Sequence, residues 1–199
     1  ASLPLPNAPV PPPLDADAGP NDAGVPTLGP ELTDLDLAPD GSFAIAVVRD
    51  RGALVRVPLP QGFSDPSTIR VRAIEDQLIG SITLAKTGKT AIAYTTAAGI
   101  EGVVVIPDID GDAPVRGIRL RKAVRAVALS DDGKRALILH TALNVGQMPA
   151  NEDARIDGSE GYSVLDTESG FSKLQLTSAR IREQNLLLTP DGTRVFALL

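Results

Sequence analysis

Cysteine is absent from the 199 residues, and with it go disulfides, thiolate metal sites and cysteine nucleophiles. Tryptophan is absent too, and aromatic residues make up only 3% of the chain. A sugar or nucleobase platform built on stacking therefore has little to build with. Histidine occurs once, as His140, so zinc, copper and haem sites of the usual nitrogen and sulfur donors are not supported. A basic excess is also missing. The net charge of −6 repels a polyanion on average and argues against nucleic acid as a partner. No apolar run approaches the roughly 18 residues that a membrane-crossing helix requires.

Hydrophobic residues nevertheless reach 43%, enough for a core made of Val, Leu, Ile and Ala. Residues 1–31 stand apart from the rest. Nine of the 17 prolines fall there, with Asp15, Asp17, Asn21 and Asp22 among Ala and Gly. Proline cannot donate to a regular ladder and favours polyproline II, so this stretch reads as a tether or an extended arm.

From Leu32 onward, strand-length apolar runs alternate with Gly, Pro, Asp and Ser. One short turn recurs four times: Ala38-Pro39-Asp40-Gly41-Ser42, Ala85-Lys86-Thr87-Gly88-Lys89, Ser130-Asp131-Asp132-Gly133-Lys134 and Thr189-Pro190-Asp191-Gly192-Thr193. Each is flanked by apolar, β-branched residues and predicts a hairpin. Behind the first hairpin, Ala53–Val57 and Thr68–Ile74 read as a third and a fourth strand. The same order returns as 81–85, 91–95, 102–106 and 115–120. It returns again as 126–129, 135–140, 162–166 and 171–176. Residues 185–188 and 194–199 then begin a fourth unit.

A four-stranded unit recurring at about 45 residues is the signature of a β-propeller blade. The expected fold is therefore all-β, a partial propeller of about three and a half blades over residues 32–199. A ring needs at least about four blades, so the expectation is that further blades follow residue 199 or that a second chain completes it. The third repeat is lengthened by an insertion, 143–160, read as a surface loop. Arg70 and Arg72, and Arg119 and Arg121, alternate with apolar residues on the predicted outer strands, as charges that blunt an exposed sheet edge do.

The runs Leu37–Ser42, Leu129–Lys134 and Leu188–Thr193 resemble the SPDG(K/R) turn of YVTN-type and TolB-type β-propeller repeat proteins of bacterial envelopes. Tyr162-Ser163-Val164-Leu165-Asp166-Thr167-Glu168-Ser169-Gly170 is similar to the third strand of those repeats. The resemblance implies an exported bacterial protein, in the periplasm or at the outer membrane or cell surface, with a lipid anchor upstream as one form of attachment. It carries over no catalytic residue, because such repeats are scaffold shared by proteins of many functions.

Candidate chemistry is sparse. His140 ends an apolar strand without a nucleophile-elbow motif, and reads as a partly buried structural imidazole. Asp108, Asp110 and Asp112 match the start of an oxygen-only calcium loop, although Gly111 sits one place early and Arg119 stands where the closing Glu belongs. The insertion holds a second acidic group, Asn151, Glu152, Asp153, Asp157 and Glu160, which reads as a contact site for a protein partner. The expected function is a non-catalytic scaffold for protein–protein interaction. The alternative is a lactonase-like hydrolase whose active groups lie mainly in blades beyond these residues.

Overall fold

The four recurring turns fold in one way, and they set the register of everything behind them. In the first, Ala38 N donates to the Phe43 carbonyl (2.9 Å) and Gly41 N to the Ala38 carbonyl (2.8 Å). The other three repeat this pair at Ala85 and Gly88, Ser130 and Gly133, and Thr189 and Gly192, at 2.8–2.9 Å throughout. Each glycine has φ between +64° and +74°, the left-handed region that a Cβ penalises. Where Asp precedes the glycine, its carboxylate closes the turn from within: Asp40, Asp132 and Asp191 Oδ1 each accept from the backbone N–H two residues on, at 3.0 Å. The second turn has Thr87 at that position.

The structure, a computed structural model, describes residues 31–143, 148–182 and 186–197. It contains three four-stranded antiparallel sheets, each connected in simple sequence order. The first holds β1 (Leu32–Leu37), β2 (Phe43–Val48), β3 (Ala53–Pro58) and β4 (Arg70–Ala73). The second holds β5 (Ser81–Leu84), β6 (Ala91–Tyr94), β7 (Gly102–Ile106) and β8 (Arg116–Arg119). The third holds β9 (Val124–Leu129), β10 (Arg135–His140), β11 (Glu160–Asp166) and β12 (Ser172–Thr177). A two-stranded sheet, β13 (Leu186–Leu188) and β14 (Val195–Ala197), begins a fourth. The residue pairs closing the four hairpins are equivalent: Leu37 with Ala44, Leu84 with Ala91, Leu129 with Ala136, and Leu188 with Val195. Residues 1–30 of the predicted Pro-rich tether, the predicted strand ends at residue 185 and at 198–199, and residues 144–147 of the insertion lie outside the described residues.

The sheets stack face to face, so the middle strands are buried on both sides. This is why Phe43-Ala44-Ile45-Ala46-Val47-Val48 is apolar at every position instead of alternating. Phe43, Ile45, Val47 and Leu54 pack against Ile82, Ala91, Ala93, Val104 and Ile106 of the second sheet. The other face of that sheet gives Ile92, Val103 and Val105 to Ala136, Ile138 and Leu165 of the third. Each such Ile, Leu or Val contributes ~1.5–3 kcal/mol by leaving water.

Polar groups lock the stack at its inner and outer rims. On β1, Asp34 and Asp36 turn toward the second sheet, where their Oδ2 atoms accept from Ile82 N (2.8 Å) and Leu84 N (2.9 Å) on the β5 edge. Alternation then points Leu35 and Leu37 the opposite way, and both are exposed. Leu187 and Phe196 are likewise exposed on the last hairpin, so bare apolar side chains mark both ends of the described stack.

Two sequence expectations are corrected. The outer-strand arginines do more than blunt an edge: Arg72 Nη1 donates to the Asp108 carbonyl (3.1 Å), and its Nη2 to that of Ala113, both in the loop between β7 and β8. Arg70 Nη1 reaches the Asp110 carbonyl (2.9 Å). Arg116 repeats the device one sheet further on, at the Thr167 and Glu168 carbonyls. A guanidinium presents several donors in a plane and so satisfies loop carbonyls that no strand pairs. The insertion, for its part, is not a plain loop: besides the one-turn α1 (Gln61–Ser64) that follows β3, the chain forms a helix, α2 (Glu152–Gly158), within it.

Candidate functional site: the turn face of the first two sheets

All four hairpin turns emerge at one edge of the stack, together with the loops that join third to fourth strands. Successive turns touch. Thr87 N donates to the Asp131 carbonyl (3.2 Å), and Asp131 N to the Pro190 carbonyl (2.9 Å), linking the second turn to the third and the third to the fourth. The glycines at these junctions have no room for a side chain: a Cβ on Gly133 would lie 2.6 Å from Thr90 Cβ, and one on Gly192 would lie 2.8 Å from Ser130 Cβ.

The junction between the first and second turns is built differently. A Cβ on Gly88 would meet only the Phe43 ring, at 3.8 Å. Among the described residues no backbone hydrogen bond joins these two turns. A cavity of about 410 Å³ opens there, bordered by Asp40, Phe43, Arg56, Lys86, Lys89 and Asp110. Arg56 comes from β3, with its guanidinium stacked 4.1 Å from the centroid of the buried Phe43 ring. Its Nε lies 2.7 Å from Asp110 Oδ1. Lys86 pairs with Asp131 at 2.9 Å, whereas Lys89 makes no ion pair among the described residues. The Asp40 carboxyl is held below its usual range by the Ser42 hydroxyl and amide, with Arg56 adding a smaller pull. Nothing in the sequence joined these residues in advance, because they come from two turns, a third strand and a loop.

The acidic loop carries its carboxylates in separate roles. Asp108 Oδ1 accepts from Asp110 N (3.1 Å), and Asp108 Oδ2 would lie 2.5 Å from a Cβ on Gly111. Asp110 turns to Arg56, and Asp112 is exposed. The loop carbonyls face the Arg70 and Arg72 guanidinium groups. Among the described residues no three His, Cys, Asp or Glu side chains converge as a metal cluster.

The acidic group of the insertion is spread along α2. Asn151 is its N-cap, with Oδ1 accepting from Ala154 N (2.8 Å). Glu152 and Asp153 sit in the first turn, where carboxylates suit the helix dipole. Glu152 is held below its usual range by its bond to Arg155, and Asp153 pairs with Arg121. Asn151, Glu152 and Asp153 are exposed, whereas Asp157 and Glu160 are half-buried, and Glu160 begins β11. The Asn-Glu-Asp order is a helix-start signal that could have disclosed α2 from the sequence.

What the sequence did not disclose is the anchor beneath this helix. Lys122 is 1% exposed, and its Nζ donates to the Ile156 (2.6 Å) and Asp157 (3.0 Å) carbonyls at the helix C-terminus. The burial lowers its pKa, and the carboxylates of Asp157, Glu160 and Glu101 oppose that shift. His140 is fully buried. Its Nδ1 lies 3.2 Å from the Ala123 carbonyl and its Nε2 2.7 Å from Ser163 Oγ. Since a carbonyl only accepts, Nδ1 carries the proton and Nε2 accepts from the Ser163 hydroxyl. Burial pushes this imidazole down to about 4, and the charges of Lys122 and Arg125 push the same way. It is a structural group sealed from substrate. Among the described residues no helix is long and apolar enough to cross a membrane.

No protein-family model matches the sequence, and no curated protein matches it in sequence. Solved structures do match in shape. Hydrazine synthase of Kuenenia stuttgartiensis superposes with a TM-score of 0.58 at 19% identity, over 83% of this chain and 42% of that one. A Bacteroides uniformis protein described as a 6-phosphogluconolactonase gives 0.51 at 19% identity, over 90% of this chain and 50% of that one. The β-propeller domain of Myceliophteria thermophila Cps50 (Swd1) gives 0.53 at 11% identity, over 83% and 49%. The chain spans about half the length of these structures. Identities this low speak for fold alone, and the fold they share with these stacked four-stranded blades is that of a β-propeller, of which this chain forms a part.

Proposed function

We propose that the chain is the non-catalytic, interaction-bearing part of a β-propeller scaffold. The observation that carries this reading is where the reactive side chains are spent. His140 is sealed against Ser163, Lys122 holds a helix end, and three turn aspartates close their own turns. A catalytic set needs groups that converge on open space with shifted pKa values. Here the shifted groups serve the scaffold. The exposed N-terminal half of α2, with Asn151, Glu152 and Asp153, offers a contact surface on a rigid support. The SPDG-like turns and the Pro-rich first 30 residues support a YVTN- or TolB-like protein in an exported, envelope setting, with further blades or a second chain completing the ring. Cross-linking and pull-down of the full-length protein from its native envelope tests this, and failure to retain any partner would remove its support.

The similarity in shape to a protein described as a 6-phosphogluconolactonase favours a second reading, a lactonase-like hydrolase with its active groups mainly in other blades. Turnover of a panel of lactones by the full-length protein would decide for it.

A further inference from the structure

We propose that the cavity between the first and second hairpin turns is a binding site for a single carboxylate group. It stands on its own geometry and does not rest on the scaffold reading.

The opening is specific to this junction. Elsewhere the turns are tied by backbone hydrogen bonds and by glycines pressed against neighbouring side chains. Here the stacked Phe43–Arg56 pair stands between the two turns, and about 410 Å³ stays open, within the size of ordinary ligand pockets.

The charges select the ligand. Arg56 forms an ion pair with Asp110 at Nε, and its Nη atoms donate no hydrogen bond to the described residues. Lys86 is matched by Asp131, and the Asp40 carboxylate is turned into its own turn by Ser42. Lys89 has no ion-pair partner among the described residues, which sets its ammonium beside a guanidinium with donors to spare, while the Asp40 carboxylate is bonded within its own turn. A carboxylate fits that pattern by accepting from Arg56 and pairing with Lys89. A phosphate dianion would meet about twice the repulsion from Asp40 and Asp110 that a single carboxylate meets across the same space. A free small acid and the Asp or Glu side chain of a partner segment present the same chemistry.

NMR titration of the full chain separates the two sources. The probes are propionate and the blocked peptide acetyl-Gly-Glu-Gly-amide, with propionamide and the Gln peptide as neutral controls. The expected result is a saturable shift of the Ser42, Gly88 and Lys89 amides with the acids and none with the controls. Response to propionate alone assigns a free acid, and response to the peptide alone assigns a partner's side chain; either supports the site. Lys89→Glu should weaken binding by about tenfold or more, and the milder Lys89→Gln by about threefold, without lowering the melting temperature, since Lys89 is exposed. Absence of saturation with both acids, equal response to the neutral controls, or undiminished affinity in Lys89→Glu would overturn the proposal. None of these outcomes bears on partner capture by the scaffold.

Discussion

The buried His140 makes stability depend on pH between its unfolded and its folded pKa. Folded, its pKa lies at about 4; unfolded, it returns to the ordinary 6.5. The native state therefore holds the imidazole neutral where the unfolded chain would protonate it, so stability falls as pH drops below 6.5 and stops falling near 4. The full difference is worth about 3 kcal/mol, and between pH 7 and 5 the loss is about 2 kcal/mol. The turn aspartates act in the same direction but in a lower window. Asp191 is lowered by bonds from Thr189 and Thr193, so its contribution is present above its ordinary 3.8 and is lost only as pH falls below that. Urea unfolding at pH 7, 6 and 5 reads the effect directly. In His140→Gln the slope between pH 7 and 5 should vanish, even though the substitution lowers stability at pH 7 by about 1–3 kcal/mol through the disturbed bonds to Ala123 and Ser163. A variant that kept the wild-type slope would refute the assignment of this pH dependence to His140.

Three further outcomes are expected. Lys122→Met should keep the packing of the stem but leave the Ile156 and Asp157 carbonyls without their donor. It should cost about 1–3 kcal/mol and raise hydrogen exchange selectively over Glu152–Gly158. Gly133→Ala and Gly41→Ala impose the same backbone strain at φ +74° and +71°, but only the first meets a neighbour, Thr90 Cβ at 2.6 Å. Thermal unfolding should show Gly41→Ala losing about 1 kcal/mol and Gly133→Ala at least about 1 kcal/mol more. Arg72→Lys retains charge but cannot span the Asp108, Gly111 and Ala113 carbonyls together, so it should lose about 1–2 kcal/mol in urea unfolding.

The repeat was legible because it rests on local chemistry. A left-handed position followed by a short apolar run needs glycine and β-branched residues at fixed offsets, and those offsets are visible in a single sequence. Strand pairing by hairpins follows from the same offsets, which is why β2, β7 and β10 fall where their residues place them. The outer strands were legible only in part. The fourth-strand pattern begins at Thr68, yet Pro66–Thr68 forms a turn of 3-10 helix capped by Asp65, and pairing starts at Arg70. There the cap outweighs the β-branched pattern, because proline supplies no N–H to a ladder.

The hairpins and their order are legible in the chain alone, since the two strands of each hairpin are joined by a turn of a few residues. Tertiary structure alone decided which charges meet. Arg72 and Ala113, Arg116 and Thr167, Lys122 and Ile156, and the group of Asp40, Arg56 and Lys89 are brought together by the stacking of one blade on the next. The physical reason is that a charged side chain on a strand has the same local signature whether it faces water, a carbonyl or another charge. Only the neighbouring blade distinguishes them.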